Sequence, residues 1–332
     1  MPAEWAPHSG CYVSWPCSEK SWSGFFEEAK KAYTEVIKAI NRLEPIIVLS
    51  DQSTSQEARA AVGPEIDIVE ISLNDSWIRD NGPIFVTSED DRVSMVQFGF
   101  NGWGGKFTPY DEDAKAPESI AERLKMRRYV APMILEGGAI TVDGEGTLIS
   151  TESCILNGNR NPDLSKQKIE NILRDFLGIK KVLWVKQGIY KSMIDGHIDG
   201  VAAFVRPGTV VHAATKNKSD PNYPIMKDNR ARLETMTDAR GKSIEIIDFP
   251  IPDRRDIDGN RIAPCYTNFY IANGGVVAPI FGEPNDEIAL EILRELFPKY
   301  EVVGIRCEYI GVGGGEIHCI TQQLPSGDFM TD

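Results

Sequence analysis

The stretch Gly196-His197-Ile198-Asp199-Gly200-Val201-Ala202-Ala203-Phe204-Val205-Arg206-Pro207-Gly208-Thr209-Val210-Val211-His212-Ala213 decides the reading of the fold. Val201 to Val205 and Val210 to Ala213 are rich in β-branched and aromatic residues, and Arg206 to Gly208 supplies a turn, so the stretch predicts a hairpin behind a polar, glycine-bounded entry. The same plan recurs on both sides. Asn81-Gly82-Pro83 leads into Ile84 to Val86, an acidic turn at Ser88 to Asp91, and Val93 to Phe98. Glu136-Gly137-Gly138 leads into Ala139 to Val142, a turn at Asp143 to Gly146, and Thr147 to Ser150. Thr267-Asn268 leads into Phe269 to Ala272, a turn at Asn273 to Gly275, and Val276 to Ile280. From Gly144 to Gly208 is 64 residues, and from Gly208 to Gly274 is 66.

Between the hairpins lie helices and single strands. Phe26, Ala29, Tyr33, Val36, Ile37 and Ile40 recur at helical spacing before Pro45. Ile169, Ile172, Leu173, Phe176 and Leu177 mark a helix that Gly178 suits as a C-terminal cap. A less regular stretch over Met226 to Ala239 reads as helical, and Ile288, Ile292, Leu293 and Leu296 mark the last helix. Strands are expected over residues 9 to 15, Ile46 to Leu49, Ile66 to Ile71, Val182 to Val185, Ile244 to Phe249 and Val302 to Cys307. Each unit offers a helix, a strand and a strand-turn-strand, and such units bury their faces only against neighbours. About five of them imply an α/β chain closed radially into a five-bladed β/α propeller, with pseudo-fivefold repeats around a central site. Closure protects sheet edges. The fifth unit is split, its last strand at the C-terminus and a partner near the N-terminus. An open doubly wound sheet needs parallel strands joined by helices, and the hairpins argue against it.

The register carries the chemistry. Asp80 lies four positions before Ile84, Glu136 four before Ile140, and His197 four before Val201. Alone, an Asp-Asn-Gly is a turn and an isolated histidine a structural residue. In a closed ring, equivalent positions face one central space. Asp80, Glu136, His197 and Asp199 are therefore expected to converge near Cys319, which is placed on a final strand after the glycine run Gly313-Gly314-Gly315. Glycines let a backbone fold tightly and let a ligand approach. The thiolate is the nucleophile and needs a cation nearby, which a guanidinium substrate or protonated His197 supplies. Two carboxylates hold a planar guanidinium by paired charge-assisted hydrogen bonds, and a third can orient the imidazole.

Composition bounds the partners. The 332 residues carry a net charge of -13, which argues against nucleic acid, whose binders present basic patches. An acidic field steers cations inward. No apolar run approaches a membrane span of roughly 20 residues, and Met1-Pro2-Ala3-Glu4-Trp5 lacks the regions of a signal peptide. The six cysteines are scattered without metal-ligand spacing, so neither a disulfide framework nor a zinc site is suggested and a reducing cytoplasm is the simplest setting.

Several motifs together resemble the agmatine deiminase family, grouped with the bacterial peptidylarginine deiminases in the guanidino-group-modifying superfamily. They are Met1-Pro2-Ala3-Glu4-Trp5 with Pro7-His8-Ser9, Trp77-Ile78-Arg79-Asp80-Asn81-Gly82-Pro83, Glu136-Gly137-Gly138, Asn159-Arg160-Asn161-Pro162 and Gly196-His197-Ile198-Asp199. Asn268-Phe269-Tyr270-Ile271-Ala272-Asn273-Gly274 and Gly313-Gly314-Gly315-Glu316-Ile317-His318-Cys319-Ile320-Thr321-Gln322-Gln323 complete the set. The resemblance runs over nearly the whole chain and implies the pentein fold, a single catalytic domain over residues 1–332, and a homodimer. It implies Cys319 as nucleophile, His197 as general acid/base, Asp80 and Asp199 as guanidinium clamp, Glu136 on the guanidinium or imidazole, and Trp77 lining the substrate channel. The implied reaction is hydrolysis of agmatine to N-carbamoylputrescine and ammonia through a cysteine thiouronium, in putrescine and polyamine biosynthesis, with no cofactor and no metal. Gly200 stands where many members have Asn, and Tyr190 to Asp195 lacks the expected acidic and hydroxyl residues, which leaves the far end of the substrate open.

Other readings follow from the same residues. Peptidylarginine, free arginine or another guanidino compound would use the same thiol chemistry, and Arg79 and Arg160 are the candidates to clamp a free carboxylate. A metal-dependent hydrolase would use His197, Asp199, Asp80 and Glu136, but only four histidines exist and none pair at helical ligand spacing. A non-catalytic guanidinium-binding module would need only the carboxylates. His318 is an alternative base, although strand neighbours point to opposite faces. The glycine- and aromatic-rich stretch from Gly99 to Tyr110 is the expected lid.

Overall fold

The computed structural model describes residues 1–22, 24–253 and 256–331. Strand β1 (His8–Ser14) pairs in parallel with β2 (Ile46–Ser50), and β3 (Asp67–Glu70) extends that sheet. Strand β4 (Ile84–Thr87) pairs antiparallel with β5 (Arg92–Gly99), which pairs in parallel with β6 (Arg128–Ile134). The same order returns in β7 (Ile140–Val142), β8 (Thr147–Thr151) and β9 (Lys181–Val185), and in β10 (Ala202–Arg206), β11 (Thr209–Ala214) and β12 (Glu245–Pro250). A small ribbon, β13 (Asp256–Ile257) with β14 (Asn260–Arg261), precedes the next set, β15 (Tyr270–Ala272), β16 (Gly275–Ile280) and β17 (Glu301–Arg306). Strand β18 (Thr321–Pro325) then pairs antiparallel with β1, and β19 (Asp328–Phe329) joins β5.

Five sheets thus share one plan, an antiparallel pair followed by a parallel third strand, and the sheet holding both chain ends closes the set. This is the split fifth unit expected of a β/α propeller. The parallel step needs a crossover, and in all five units a helix supplies it: Phe26–Asn41, Ala116–Leu124, Lys166–Leu177, Asn222–Glu234 and Asn285–Leu296. In Lys166–Leu177 the buried residues are Ile169, Leu173 and Leu177, one stripe at four-residue spacing. Each such side chain contributes about 1.5–3 kcal/mol when taken out of water. Ser165 caps the first turn by accepting from the Lys168 amide, and Gly178 ends the helix in the left-handed region (φ 69°).

Two elements differ from the expectation. The second unit contains strand β6 and the helix Ala116–Leu124, where the sequence offered no clear pattern. Pro132 breaks the run in β6, and Tyr129 and Val130 are exposed, both marks of an edge strand. Cys319 is not on a strand. The glycine run follows a short helix (Glu308–Val312), and residues 317–320 form a turn that ends where β18 begins. Three consecutive glycines cannot hold a pleated ladder at low cost, so the chain stays irregular until Thr321. Among the described residues no helix is long and apolar enough to cross a membrane.

Candidate active site

Each sheet presents the residues just before its first strand to the centre. Asp80 ends up on the short helix Ile78–Asn81 ahead of β4, and Glu136 is extended (φ -89°, ψ 140°) ahead of β7. His197 precedes a 3-10 turn, Ile198–Gly200, that carries Asp199 ahead of β10. Asn268 precedes β15, and Cys319 precedes β18. All six are buried.

The structure brings the expected residues together. Cys319 Sγ lies 3.5 Å from Asp199 Oδ2. His197 Nδ1 lies 3.6 Å from Asp80 Oδ1. Gly138 is the point on which they close: a methyl group there would stand 2.7 Å from Asp80 Oδ1, 2.7 Å from His197 Nδ1 and 2.8 Å from Asp199 Oδ2. The Gly138 amide also donates to Asp80 Oδ1 at 3.0 Å. Gly315 does the same for the thiol, since a methyl there would sit 2.8 Å from Cys319 Sγ and 2.8 Å from the Trp77 ring. Trp77 lines one cleft with Cys319, Asp75, Asp80, Trp103, Phe107 and Met193.

Two residues at the site, Asn268 and Trp103, were not singled out from the sequence. Asn268 donates from Nδ2 to Cys319 Sγ (3.2 Å) and accepts from the Cys319 amide (3.2 Å). It stands at the same strand-entry position as the others, so the register could have found it. Trp103 donates from Nε1 to Asp80 Oδ2 at 2.9 Å. It belongs to the expected lid, and the lid's Lys106 pairs with Asp195 at 2.5 Å. Arg160 bonds Glu136 Oε1 through Nε (2.7 Å) and reaches Asp195 through Nη1 (2.5 Å). His318 turns away from the cleft, with Nδ1 3.1 Å from Asp199 Oδ2. The turn, not strand alternation, parts it from Cys319.

Buried polar atoms are left free here. Both ring nitrogens of His197 and Oε2 of Glu136 are buried without a hydrogen-bond partner among the described residues. Such atoms are costly unless a ligand meets them. Burial pushes the Cys319 thiol well above its ordinary range, and Asp199, Asp80 and Glu316 push it further. Burial likewise raises the Asp80 carboxyl; His197 opposes this and Asp199 adds to it. Burial also pushes Asp199 upward, but the hydrogen bond and charge of His318 outweigh it and the net shift is downward. The site thus sets the Cys319 thiol beside the Asp80 and Asp199 carboxylates, an arrangement complementary to a planar cation.

Arg79 and Arg160 do not clamp anything in the cleft. Arg79 bonds the His318 carbonyl and Gln323 Oε1 on the opposite side, and Arg160 is held by Glu136 and Asp195. Glu136, Cys154 and His197 bring potential metal-ligating atoms within 4.8 Å of one another. The Arg160 guanidinium already on Glu136 opposes a dication there, and that separation is loose for ligands of one zinc ion.

The Porphyromonas-type peptidyl-arginine deiminase family model matches residues 1–325. The chain belongs to that family. An agmatine deiminase of Stutzerimonas stutzeri is 41% identical, over 98% of this chain and 95% of that protein. The solved agmatine deiminase of Enterococcus faecalis superposes with a TM-score of 0.95 at 36% identity, covering 98% of this chain and 95% of that one. At the level of fold alone, DDAH of Pseudomonas aeruginosa matches with a TM-score of 0.54 at 14% identity, over 96% of this chain and all of that one.

Proposed function

We propose that the protein hydrolyses agmatine to N-carbamoylputrescine and ammonia, with Cys319 as nucleophile and His197 as general acid/base. The observation that carries this is the convergence of Asp80, Asp199 and the unpartnered His197 ring around Gly138, with Cys319 Sγ 3.5 Å from Asp199 Oδ2 and Glu136 within 4.8 Å of His197. A bound guanidinium pairs with Asp80 and Asp199 and supplies the positive charge that the buried thiol lacks. Cys319 Sγ then bonds to the guanidinium carbon, and the thiol proton passes through His197 to the departing nitrogen, which leaves as ammonia. A cationic thiouronium remains on the sulfur. Water, deprotonated by His197, adds to the same carbon, the C–S bond breaks, and the ureido product leaves with the thiol restored and one proton released. Asn268, donating to Sγ at 3.2 Å, stabilises the sulfur anion as it forms.

The cleft supports agmatine over its rivals. Its charged lining residues, among those described, are Asp75 and Asp80, with no lysine or arginine to read the carboxylate of free arginine. Asp75 suits a cationic far end. Trp103 and Phe107 line the cleft, and their bulk favours a small substrate over a peptide. The reading extends to the whole chain: residues 1–332 act as one catalytic domain, as a homodimer in the cytoplasm, without nucleic acid, and place the product in polyamine synthesis. Ureido-product formation by the purified protein on agmatine, arginine and an internal-arginine peptide tests it. Turnover of agmatine that Cys319→Ser abolishes supports the reading. Turnover of the peptide in preference overturns the substrate, and turnover that survives Cys319→Ser overturns the mechanism.

A further inference from the structure

His318 follows the glycine run and adjoins Cys319 in sequence, yet its ring lies on the far side of the candidate clamp. There it sits in an inner channel with Glu4, Arg79, Asp199, Gln322 and Gln323. Each of its nitrogens meets a carboxylate: Nδ1 is 3.1 Å from Asp199 Oδ2, and Nε2 is 3.0 Å from Glu4 Oε2. An ionised carboxylate only accepts hydrogen bonds, and a neutral imidazole has only one N–H to give. Both contacts are satisfied together only by the imidazolium. The N-terminal carboxylate is fixed in turn, because Glu4 Oε1 accepts the Ile271 amide at 2.8 Å and Arg79 Nη2 stands 3.7 Å from Oε2.

We propose that Glu4 and His318 form a positioning dyad that holds Asp199 ionised and aimed at the cleft, so that the N-terminal segment sets the charge of the guanidinium clamp. This rests on the reading of Asp199 as part of that clamp. The same Oδ2 that meets His318 is 3.5 Å from Cys319 Sγ, so the dyad acts on the atom nearest the nucleophile. Asp80 and Asp199 crowd one small space around Gly138, and two carboxylates so placed resist ionising together. The imidazolium resolves which of them is the anion.

The surrounding groups agree. Facing His318 are Glu4, Arg79, Asp199 and, across Asp199, Cys319; facing Asp199 from other elements are His197, Asp80 and Glu316. Burial and the Arg79 charge pull His318 down, but Glu4 and Asp199 outweigh them and the net shift is upward from the ordinary imidazole value. The Glu4 carboxyl is pushed up by burial and pulled by His318 and Arg79 to about 2.

The test uses the full chain with nitrogen-labelled histidine, and His318→Gln assigns the resonance by its loss. The imidazole nitrogens of His318 should both be protonated at pH 8, and Glu4→Gln should move them to the neutral form. On agmatine, His318→Gln should raise KM about tenfold to a hundredfold, the usual effect of losing one charge-assisted hydrogen bond. It should also move the acid limb of kcat/KM to higher pH, because Asp199 then protonates more readily. Glu4→Gln keeps an acceptor for Nε2 and should lower the pH at which KM begins to climb on the basic side, as His318 loses its proton sooner. A neutral His318 at pH 8 in the unaltered protein overturns the dyad. So do variants that melt earlier but keep KM and both limbs, since a purely structural role would do only that. If His318→Gln does not fold, Glu4→Gln carries the test. If the unaltered protein turns over no guanidine, the proposed function fails, and the nitrogen resonances alone then judge the dyad.

Discussion

Gly138→Ala is the sharpest perturbation the site offers. Gly138 is outside the left-handed region, so the backbone itself accepts alanine. What the site does not accept is the methyl group. It would arrive 2.7 Å from Asp80 Oδ1 and His197 Nδ1 and 2.8 Å from Asp199 Oδ2, whereas ordinary contacts begin near 3.4 Å. Three candidate catalytic groups must therefore retreat by about 0.7 Å at once, or the loop that carries residue 138 must back away and break its amide bond to Asp80. Overpacking of this kind costs about 1–3 kcal/mol of stability. Misplacement by about 1 Å costs about a hundredfold in rate. The expected variant folds, melts a few degrees earlier, and loses at least about a hundredfold in kcat/KM for agmatine, with kcat falling more than KM rises. Circular dichroism, a thermal melt and steady-state ammonia release measure the three quantities. A folded Gly138→Ala protein with unchanged kcat/KM would refute the convergence on which the site is built.

Other outcomes follow from single contacts. Asn268→Ala removes the donor to Cys319 Sγ and the acceptor of its amide, and should lower kcat about tenfold to a hundredfold in a steady-state assay while the melting temperature changes little by comparison. Trp103→Phe keeps a ring against Phe100 and Phe107 but takes one donor from the buried Asp80, which should cost about 1–3 kcal/mol in kcat/KM. The pH dependence of Cys319 has a definite sign. Burial and neighbouring acids disfavour the anion, so alkylation of the free enzyme by iodoacetamide should rise only at pH above the ordinary thiol range near 8.5, and millimolar guanidinium should accelerate it at neutral pH. Alkylation that titrates at or below that range without a cation would contradict the account.

Much of this site was legible before any coordinates, because equivalent turns of a repeated unit must face one centre. Asp80, Glu136 and His197 share a place four residues before the β-run, and the structure sets them side by side. Asn268 obeys the same rule but sits at an unremarkable Thr-Asn, with no charge to draw attention to it. Trp103 was legible only as part of a lid, since its left-handed backbone (φ 53°) and its reach to Asp80 depend on a glycine-rich loop that no periodicity describes. Cys319 is expected on a strand because the run after the glycines leans to β, but the glycines ahead of it deny the ladder a start. The departures at Tyr190 to Asp195 turn out to carry structure: Asp195 joins Lys106, Asn159 and Arg160, while Met193 and Ile194 line the cleft. Gly200 has room for a larger residue, its nearest neighbours to an added methyl being Cys265 Sγ at 3.7 Å and Ile189.

The most direct measurement is intact mass after an acid quench of the protein during turnover of agmatine, with peptide mapping of any adduct. The account predicts a species heavier by agmatine less ammonia, carried on Cys319, chased away by continued turnover and absent from Cys319→Ser. Turnover with no adduct at any quench time and undiminished in Cys319→Ser, or an adduct carried on another cysteine, would contradict it.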